Sequence, residues 1–198
     1  MQTEEQHHGA RELREAIAEK ARAVGFQKVG FAPASLPEAK PRLEEWLGRG
    51  FEGEMAWMSR SSDRRADASR SLESAETVVC CALNYYQGAP VEAGPGYGVI
   101  SSYAQGEDYH RVLERKLEEV AAFIEERTGA RTRVYVDTGP LLEKGYAVAA
   151  GLGWLGKHTN LLSCDGSSWF FLGEILVPLA LVPNFESAPS SDHCGTCV

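Results

Sequence analysis

One apolar run, residues 77–86, constrains the fold of this chain more than any other feature. It reads Thr-Val-Val-Cys-Cys-Ala-Leu-Asn-Tyr-Tyr, which is too apolar for a strand with one face in water. The run therefore predicts a central strand that is covered on both faces. Cys80 and Cys81 lie within it and are predicted to be buried, inert thiols on opposite faces of the strand.

Helical periodicity and strand-like runs alternate along the rest of the chain, which predicts an α/β or α+β layered domain. Helices are predicted over residues 10–24, 35–48, 108–127 and 141–150. Short strands are predicted over residues 27–32 and 131–136, and a hairpin over residues 159–176. Ser35 is predicted to cap the second helix, and Asp165 and Gly166 to form the turn of the hairpin.

The composition is that of an ordinary soluble protein. The chain has 198 residues, of which 43% are hydrophobic and 24% charged, and its net charge is -8. This charge gives no support to a basic surface over the whole protein, although a local basic patch stays open. No apolar run is long enough to cross a membrane, and the polar first ten residues lack a secretory signal. A cytoplasmic location is expected.

Asp137 is the most conspicuous candidate for catalysis. It stands where the strand over residues 131–136 runs into Thr-Gly-Pro and the next helix, and open α/β sheets place ligand-binding groups at such strand ends. An acid in an apolar pocket has a raised pKa and can deliver a proton near neutral pH. The alternative is a helix N-cap with no further role.

A glycine-rich segment follows, Gly151-Leu-Gly-Trp-Leu-Gly, and continues with Lys157 and His158. It matches a dinucleotide fingerprint by letters only, because it follows a helix instead of joining a strand to a helix. Closely spaced glycines let backbone amides approach a large ligand, and Lys157 could bind a phosphate or carboxylate. The alternative is a helix C-cap followed by a tight turn.

Two other polar segments carry candidate groups. Glu107 or Asp108 is predicted to cap the long helix, with His110 as an exposed residue of its first turn. Arg64 and Arg65 could hold an anion, although a solvated loop charge is the commoner situation. The aromatic run from Trp169 to Phe171 is predicted to be core or the wall of a pocket.

The five cysteines are an odd number and are not spaced like a secreted disulfide framework. Cys194 and Cys197 form a Cys-x-x-Cys pair, which can place two thiolates on one metal or cluster. The Pro- and Ser-containing residues 182–191 before it are predicted to be a linker. Cys164 is interpreted as incidental.

Four motifs together carry a resemblance to a known family. They are Tyr-Ala-Gln-Gly-Glu-Asp-Tyr-His from residue 103, Val-Asp-Thr-Gly-Pro-Leu-Leu-Glu-Lys from 136, Gly-Leu-Gly-Trp-Leu-Gly-Lys-His from 151 and Ser-Trp-Phe-Phe-Leu-Gly-Glu from 168. In this order, and followed by Cys-Gly-x-Cys, they resemble epoxyqueuosine reductase. The resemblance covers nearly the whole chain from about residue 10.

The resemblance implies a reaction and its cofactors. The family reduces epoxyqueuosine at the tRNA wobble position to queuosine, using cobalamin and two [4Fe-4S] clusters, and needs an external electron donor. Its cobalamin domain resembles the nitroreductase-like fold of reductive dehalogenases and is followed by a ferredoxin-like domain. By motif, Asp137 matches the proton donor, and Arg65, Lys157 and His158 match the cobalamin surroundings. Cys194 and Cys197 match the first two ligands of the first cluster.

The resemblance also implies a domain organisation: a disordered tail over residues 1–9, a cobalamin-binding catalytic domain over 10–182, and over 183–198 a linker and the start of a truncated ferredoxin-like domain. The chain is expected to be a monomer and a fragment that is inactive alone, because a cluster needs four thiolates. Two alternatives stay open. They are a dehalogenase-like cobalamin reductase that acts on a small molecule, and a non-enzymatic module that binds zinc or a cluster.

Overall fold

The computed structural model describes residues 2–88, 93–181 and 193–196. Its six α-helices are α1 Gln2–Val24, α2 Lys40–Gly48, α3 Trp57–Arg60, α4 Ser62–Arg65, α5 Tyr109–Thr128 and α6 Glu143–Ala149. Its six strands are β1 Lys28–Pro33, β2 Thr77–Asn84, β3 Arg133–Tyr135, β4 Trp154–Leu155, β5 Leu161–Leu162 and β6 Phe170–Val177. None of the helices in the described residues is long and apolar enough to cross a membrane.

The main sheet has four strands in the order β1-β2-β6-β3, and every neighbouring pair is antiparallel. The prediction of a strand covered on both faces is confirmed, since β2 is an inner strand and its first six residues are buried. Helices cover both faces of the sheet, since residues of α1 and α5 pack against one face and residues of α6 against the other. The layered α+β prediction is therefore confirmed, with an antiparallel sheet.

The predicted hairpin over residues 159–176 is wrong. Its turn forms, with Gly166 at a positive φ and its N–H donating to the Ser163 carbonyl. The two strands beside that turn belong to different sheets, however, because β5 pairs with β4 while β6 pairs with β2 and β3. The long apolar β6 is buried by joining the main sheet, and the two-residue β5 could not offer it an equivalent partner.

Two predicted helix starts are also different in the structure. The first helix begins at Gln2, so residues 2–9, which were predicted to be a disordered tail, are helical. Ser35 does not cap α2, since it forms a bridge with Asp67 and the cap position is Ala39, with a proline in the first turn. A proline there has its φ preset for a helix, so no side-chain cap is needed.

Candidate active site

The backbone of Asp137 adopts a conformation that is rare for residues other than glycine. Its φ is +51°, and the Thr138 N–H donates to the Val136 carbonyl across it at 2.5 Å, which forms a three-residue turn. The turn needs a glycine at position 139, because a Cβ on Gly139 would lie 2.6 Å from the Tyr135 ring. The helix α6 has Leu142 as its N-cap. The N-cap interpretation of Asp137 is therefore wrong, and the turn serves to present its carboxylate.

The side chain of Asp137 accepts two hydrogen bonds from the first turn of α5. The Tyr109 hydroxyl donates to Oδ2 at 3.0 Å, and Nε2 of His110 lies 3.2 Å from the same oxygen. On its other side, Nδ1 of His110 lies 2.8 Å from Oδ1 of Asp108. We call these four residues the Asp137 cluster. The Asp137 side chain is 56% exposed, so it does not lie in the apolar pocket that the sequence suggested.

The charges of the cluster favour a protonated imidazole and a neutral phenol. The hydrogen bond that His110 donates to Asp108, helped by the one that it donates to Asp137, raises the pKa of His110 although burial opposes this. Burial first, and the Asp137 hydrogen bond second, raise the pKa of Tyr109. Asp108 caps α5 by accepting the His110 backbone N–H at 3.1 Å, as predicted. The interpretation of His110 as an exposed first-turn residue missed its contact with Asp137.

Two further carboxyl groups lie behind the cluster, and we call Glu143 and Glu174 the buried acid pair. Glu174 in β6 is fully buried, and neither of its side-chain oxygens has a hydrogen-bond partner among the described residues. Burial, followed by the charges of Glu143 and Asp137, raises its pKa well above the ordinary range. A carboxyl group in this position is held in its neutral form.

Glu143 is the first residue of α6, and it is the member of the buried acid pair that interacts directly with Asp137. Burial and then the charge of Asp137 raise the pKa of Glu143 to about 7, while a hydrogen bond from the Asp137 backbone N–H and the charges of Lys144 and Arg65 act in the opposite direction. The sequence contained both acids within the quoted motifs but gave no periodic signal for their roles. Only the pairing of β6 with β3 brings Glu174 beneath the Asp137 turn.

Arg65 lies next to this group of acids and is not the solvated loop charge that was the alternative. It is 6% exposed, its guanidinium carbon lies 4.9 Å from the centroid of the Trp57 ring, and its carbonyl accepts the Leu142 N–H at 2.9 Å. Burial lowers the pKa of Arg65, and the charge of Glu143 opposes this. Its Nε has no hydrogen-bond partner among the described residues, so a donor is available for a ligand.

The glycine-rich segment forms the small β4–β5 hairpin, and packing explains its glycines. Gly151 has a positive φ just after α6. A Cβ at Gly153 would lie 2.0 Å from the Leu162 carbonyl oxygen, and one at Gly156 would lie 2.6 Å from the His158 ring. A phosphate-binding role is therefore not needed to account for them.

Lys157 and His158 are exposed at the tip of this hairpin. Lys157 donates to the Gly195 carbonyl at 2.9 Å, and the ring of Trp154 packs edge-on against His193 with centroids 4.9 Å apart. The hairpin thus contacts residues 193–196. Cys194 is half-buried, whereas Cys197 lies outside the described residues. Where the chain is described, no three His, Cys, Asp or Glu side chains are grouped to hold a metal ion.

A row of aromatic rings extends from the Asp137 cluster along the ends of β2 and β6. The Tyr109 ring stacks on Phe171 with centroids 4.2 Å apart, and Phe171 lies 4.5 Å from Tyr85. Trp169 continues the row at 5.7 Å from Tyr85 and 5.3 Å from Tyr86. Trp169 and Tyr86 are 41% and 54% exposed. The prediction that this aromatic run forms core or a pocket wall is consistent with these contacts.

Comparisons with known proteins identify the family. Residues 65–138 match the family model described as Epoxyqueuosine reductase QueG, DUF1730. The epoxyqueuosine reductase of Gloeobacter violaceus is 47% identical over 184 residues, which are 91% of this chain and 56% of that protein. The chain thus spans little more than half the length of this relative.

Solved structures agree with the sequence comparison. The epoxyqueuosine reductase of Streptococcus thermophilus is 30% identical, with a TM-score of 0.75 over 92% of this chain and 49% of the other. An epoxyqueuosine reductase solved with an epoxyqueuosine-modified tRNA stem loop is 26% identical, with a TM-score of 0.82 over 95% of this chain and 50% of the other. A reductive dehalogenase described as B12-dependent has a TM-score of 0.53 at 16% identity, over 89% of this chain and 21% of the other, and shares the fold. The chain is thus similar over nearly its whole length to about half of the epoxyqueuosine reductases.

Proposed function

We propose that this chain provides the catalytic acid of an enzyme that reduces epoxyqueuosine in tRNA to queuosine. The relatives carry that name, and one was solved with an epoxyqueuosine-modified tRNA stem loop. The observation that carries the proposal is the Asp137 cluster, in which a carboxyl group on a strained turn contacts a phenol and an imidazole. The chain spans about half of its relatives, and the whole enzyme includes what the other half supplies.

The proposed role of Asp137 follows from the chemistry of epoxides. When the carbon–oxygen bond of the ring breaks, its electron pair stays on the oxygen, which must take up a proton. The carboxyl group of Asp137 supplies that proton as the bond breaks. A positioned general acid contributes about 10² to 10⁴ in rate. Tyr109 and His110 fix the carboxyl group in its orientation through their hydrogen bonds to Oδ2.

Cobalamin is the proposed cofactor, and Arg65, Asp137, Lys157 and His158 are the residues proposed to surround it. Two observations support the fit. The buried Nε of Arg65 has no partner among the described residues, and the row of aromatic rings beside Asp137 ends in the half-exposed Trp169 and Tyr86. Bound cobalamin supplies the two electrons of the reduction. Arg65 would donate to an acceptor on the cofactor, and Lys157 and His158 would line its edge.

Cys194 and Cys197 are proposed as two ligands of a [4Fe-4S] cluster that receives electrons from an external donor. The β4–β5 hairpin contacts the residues on both sides of Cys194, since Trp154 packs against His193 and Lys157 donates to the Gly195 carbonyl, so a cluster bound there would lie beside this hairpin. A cluster takes four thiolates, so further cysteines have to complete it. The chain is further proposed to act as a monomer in the cytoplasm.

A dehalogenase-like reductase acting on a small organic molecule is the second candidate, and the fold shared with reductive dehalogenases is what favours it. The two candidates differ in substrate. The intact, cobalamin-loaded enzyme should therefore be given a chemical reductant and, in separate reactions, an epoxyqueuosine-containing tRNA stem loop and halogenated phenols. Nucleoside mass spectrometry and halide release are the two measurements.

We expect queuosine to form and no halide to be released. Asp137→Asn should lower queuosine formation at least 10²-fold because the amide cannot donate the proton, while cobalamin binding, followed by its visible spectrum, is retained. Glu119→Gln is the matched control, since it changes an exposed carboxylate on α5. A full rate in Asp137→Asn would refute the role of this residue, and halide release without queuosine would refute the substrate.

A further inference from the structure

Reduction of an epoxide takes up two electrons and two protons, whether the oxygen stays as a hydroxyl group or leaves as water. A single carboxyl group carries one proton. After Asp137 has protonated the oxygen, a second proton therefore has to reach the substrate by way of another group. This requirement rests on the proposed function, and the structure offers two candidates that contact Asp137 directly, Tyr109 and His110.

His110 is much the better acid of the two. A phenol ordinarily has a pKa near 10 and an imidazole one near 6.5, and in this site burial and Asp137 raise the pKa of Tyr109 further. Tyr109 therefore keeps its proton and acts as a fixed hydrogen-bond donor. His110 lies 2.8 Å from the Asp108 carboxylate and 3.2 Å from Asp137. Asp108 stabilises the imidazolium throughout, and Asp137 does so once it has given up its own proton.

We propose that His110 is the second proton source of the reaction and delivers its proton through Asp137. Once Asp137 has given up its proton, the Nε2–H of the His110 imidazolium is transferred to the Oδ2 atom that it already contacts. Asp137 alone could not draw this proton from the imidazolium that it stabilises, so the transfer accompanies the second protonation of the substrate by the same carboxyl group. It is driven by the negative charge left on the substrate, which makes the substrate a far stronger base than a carboxylate. The two electrons come from the reduced cobalamin of the proposed function, so that the epoxide gains two electrons and two protons in total.

The surroundings of His110 suit a group that is reloaded after every turnover. Its side chain is 37% exposed, so solvent can return the proton. The groups that face it are Asp108, Asp137 and the stacked Tyr109 ring, 4.0 Å away between centroids, while Arg111 acts on it indirectly by its charge near Asp108. The negative charges of the two carboxylates have a larger effect on His110 than the Tyr109 ring or Arg111, and both charges favour the imidazolium.

The pH dependence follows from this arrangement. His110 carries its proton below its raised pKa and loses it above that pKa. The rate of queuosine formation should therefore fall as the pH rises through the pKa of His110. The same pKa can be measured without turnover from the ¹⁵N chemical shifts of the labelled imidazole in the resting enzyme.

The first test replaces the imidazole. His110→Gln keeps a side chain that can bind Asp137 but cannot supply an acidic proton. We expect kcat to fall about 10²-fold and the alkaline decline of the rate to disappear. His8→Gln is the matched control, because His8 is an exposed residue of α1 that pairs with Glu12. This control should change neither kcat nor the alkaline decline of the rate. A wild-type rate and pH profile in His110→Gln would overturn the proposal.

A second variant keeps the imidazole and changes only its acidity. Asparagine is also a good N-cap, so Asp108→Asn should preserve α5 while lowering the pKa of His110 measured by NMR. The alkaline decline of the rate should move down by the same amount. If the NMR pKa moves and the decline does not, His110 does not deliver the proton. Failure of the wild-type enzyme to form any queuosine would instead overturn the proposed function.

Discussion

Both faces of the main sheet are covered by buried apolar residues, but only the α6 face also contains buried acidic and basic side chains beneath the Asp137 turn. The face toward α1 and α5 is filled by apolar side chains, among them Ile17, Leu117 and Ile175. The opposite face packs against α6 and contains Glu174 and Tyr146, both fully buried, near Glu143 and Arg65. Since successive residues of a strand point to opposite faces, Ile175 and Glu174 in β6 belong to these two different environments.

The difference shows where this fold gives up stability. Burying a carboxyl group without a hydrogen-bond partner costs free energy, and so does burying the Arg65 guanidinium. A sheet of this size could cover its second face with aliphatic residues at no such cost. The polar groups instead lie beneath the Asp137 turn, where the proposed reaction takes up protons. We infer that apolar packing on both faces stabilises the fold and that the α6 face is in addition adapted to chemistry.

The difference between the two faces can be tested most strongly by a substitution that creates a cavity in the α1–α5 face. Leu117 is fully buried in α5 and packs against Gly173, so Leu117→Ala should lower the free energy of unfolding by about 2–5 kcal/mol. Urea unfolding measures this loss. The kcat of the molecules that remain folded should be unchanged. A large fall in their kcat would show that the two faces are coupled.

A change in the buried acid pair should give a smaller effect that depends on pH. The pKa of Glu143 is raised to about 7 in the folded protein, above its ordinary value near 4.3. The folded state thus binds more protons than the unfolded state between these values, and stability is lost as the pH rises through that window. The loss is at most about 4 kcal/mol.

Glu143→Gln removes this titration but keeps an oxygen that can accept the Asp137 N–H. The free energy of unfolding of the variant, relative to wild type, should therefore be higher at pH 8 than at pH 5. Urea unfolding at both values is the measurement, and Glu119→Gln at an exposed site is the control. If the difference in free energy of unfolding between the variant and wild type is equal at both pH values, Glu143 titrates normally. Its burial on the α6 face then does not destabilise the ionised form.

The smallest effect is expected for Tyr109→Phe, which separates packing from hydrogen bonding within the Asp137 cluster. The phenylalanine ring can keep the stacking on Phe171 at 4.2 Å, but the donor to Oδ2 of Asp137 is lost. We expect kcat to fall about tenfold, which corresponds to about 1.4 kcal/mol, with little change in unfolding. A fall as large as that of Asp137→Asn would make Tyr109 a proton donor instead of a positioning residue.

Much of the local structure could be predicted from the sequence because local chemistry specifies it. The apolar run identified β2, the periodicity of residues 108–127 identified α5, and Gly129 ends that helix with a positive φ. The Asp-Thr-Gly-Pro run correctly placed Asp137 after a strand and before a helix, but its positive φ was not predicted. The errors concern pairing, since the hairpin prediction joined β6 to its neighbour in sequence, whereas its partners are β2 and β3.

The sequence by itself determined most of the helices and strands, the place of Asp137 after a strand, and the resemblance to epoxyqueuosine reductases. Only the tertiary structure decided which groups meet. His110 and Asp137 are 27 residues apart in the chain, and Glu174 reaches the same region because β6 lies between β2 and β3. Helix caps and turns depend on neighbouring residues, but such contacts depend on which apolar faces are buried together, and no short segment of the sequence encodes that choice.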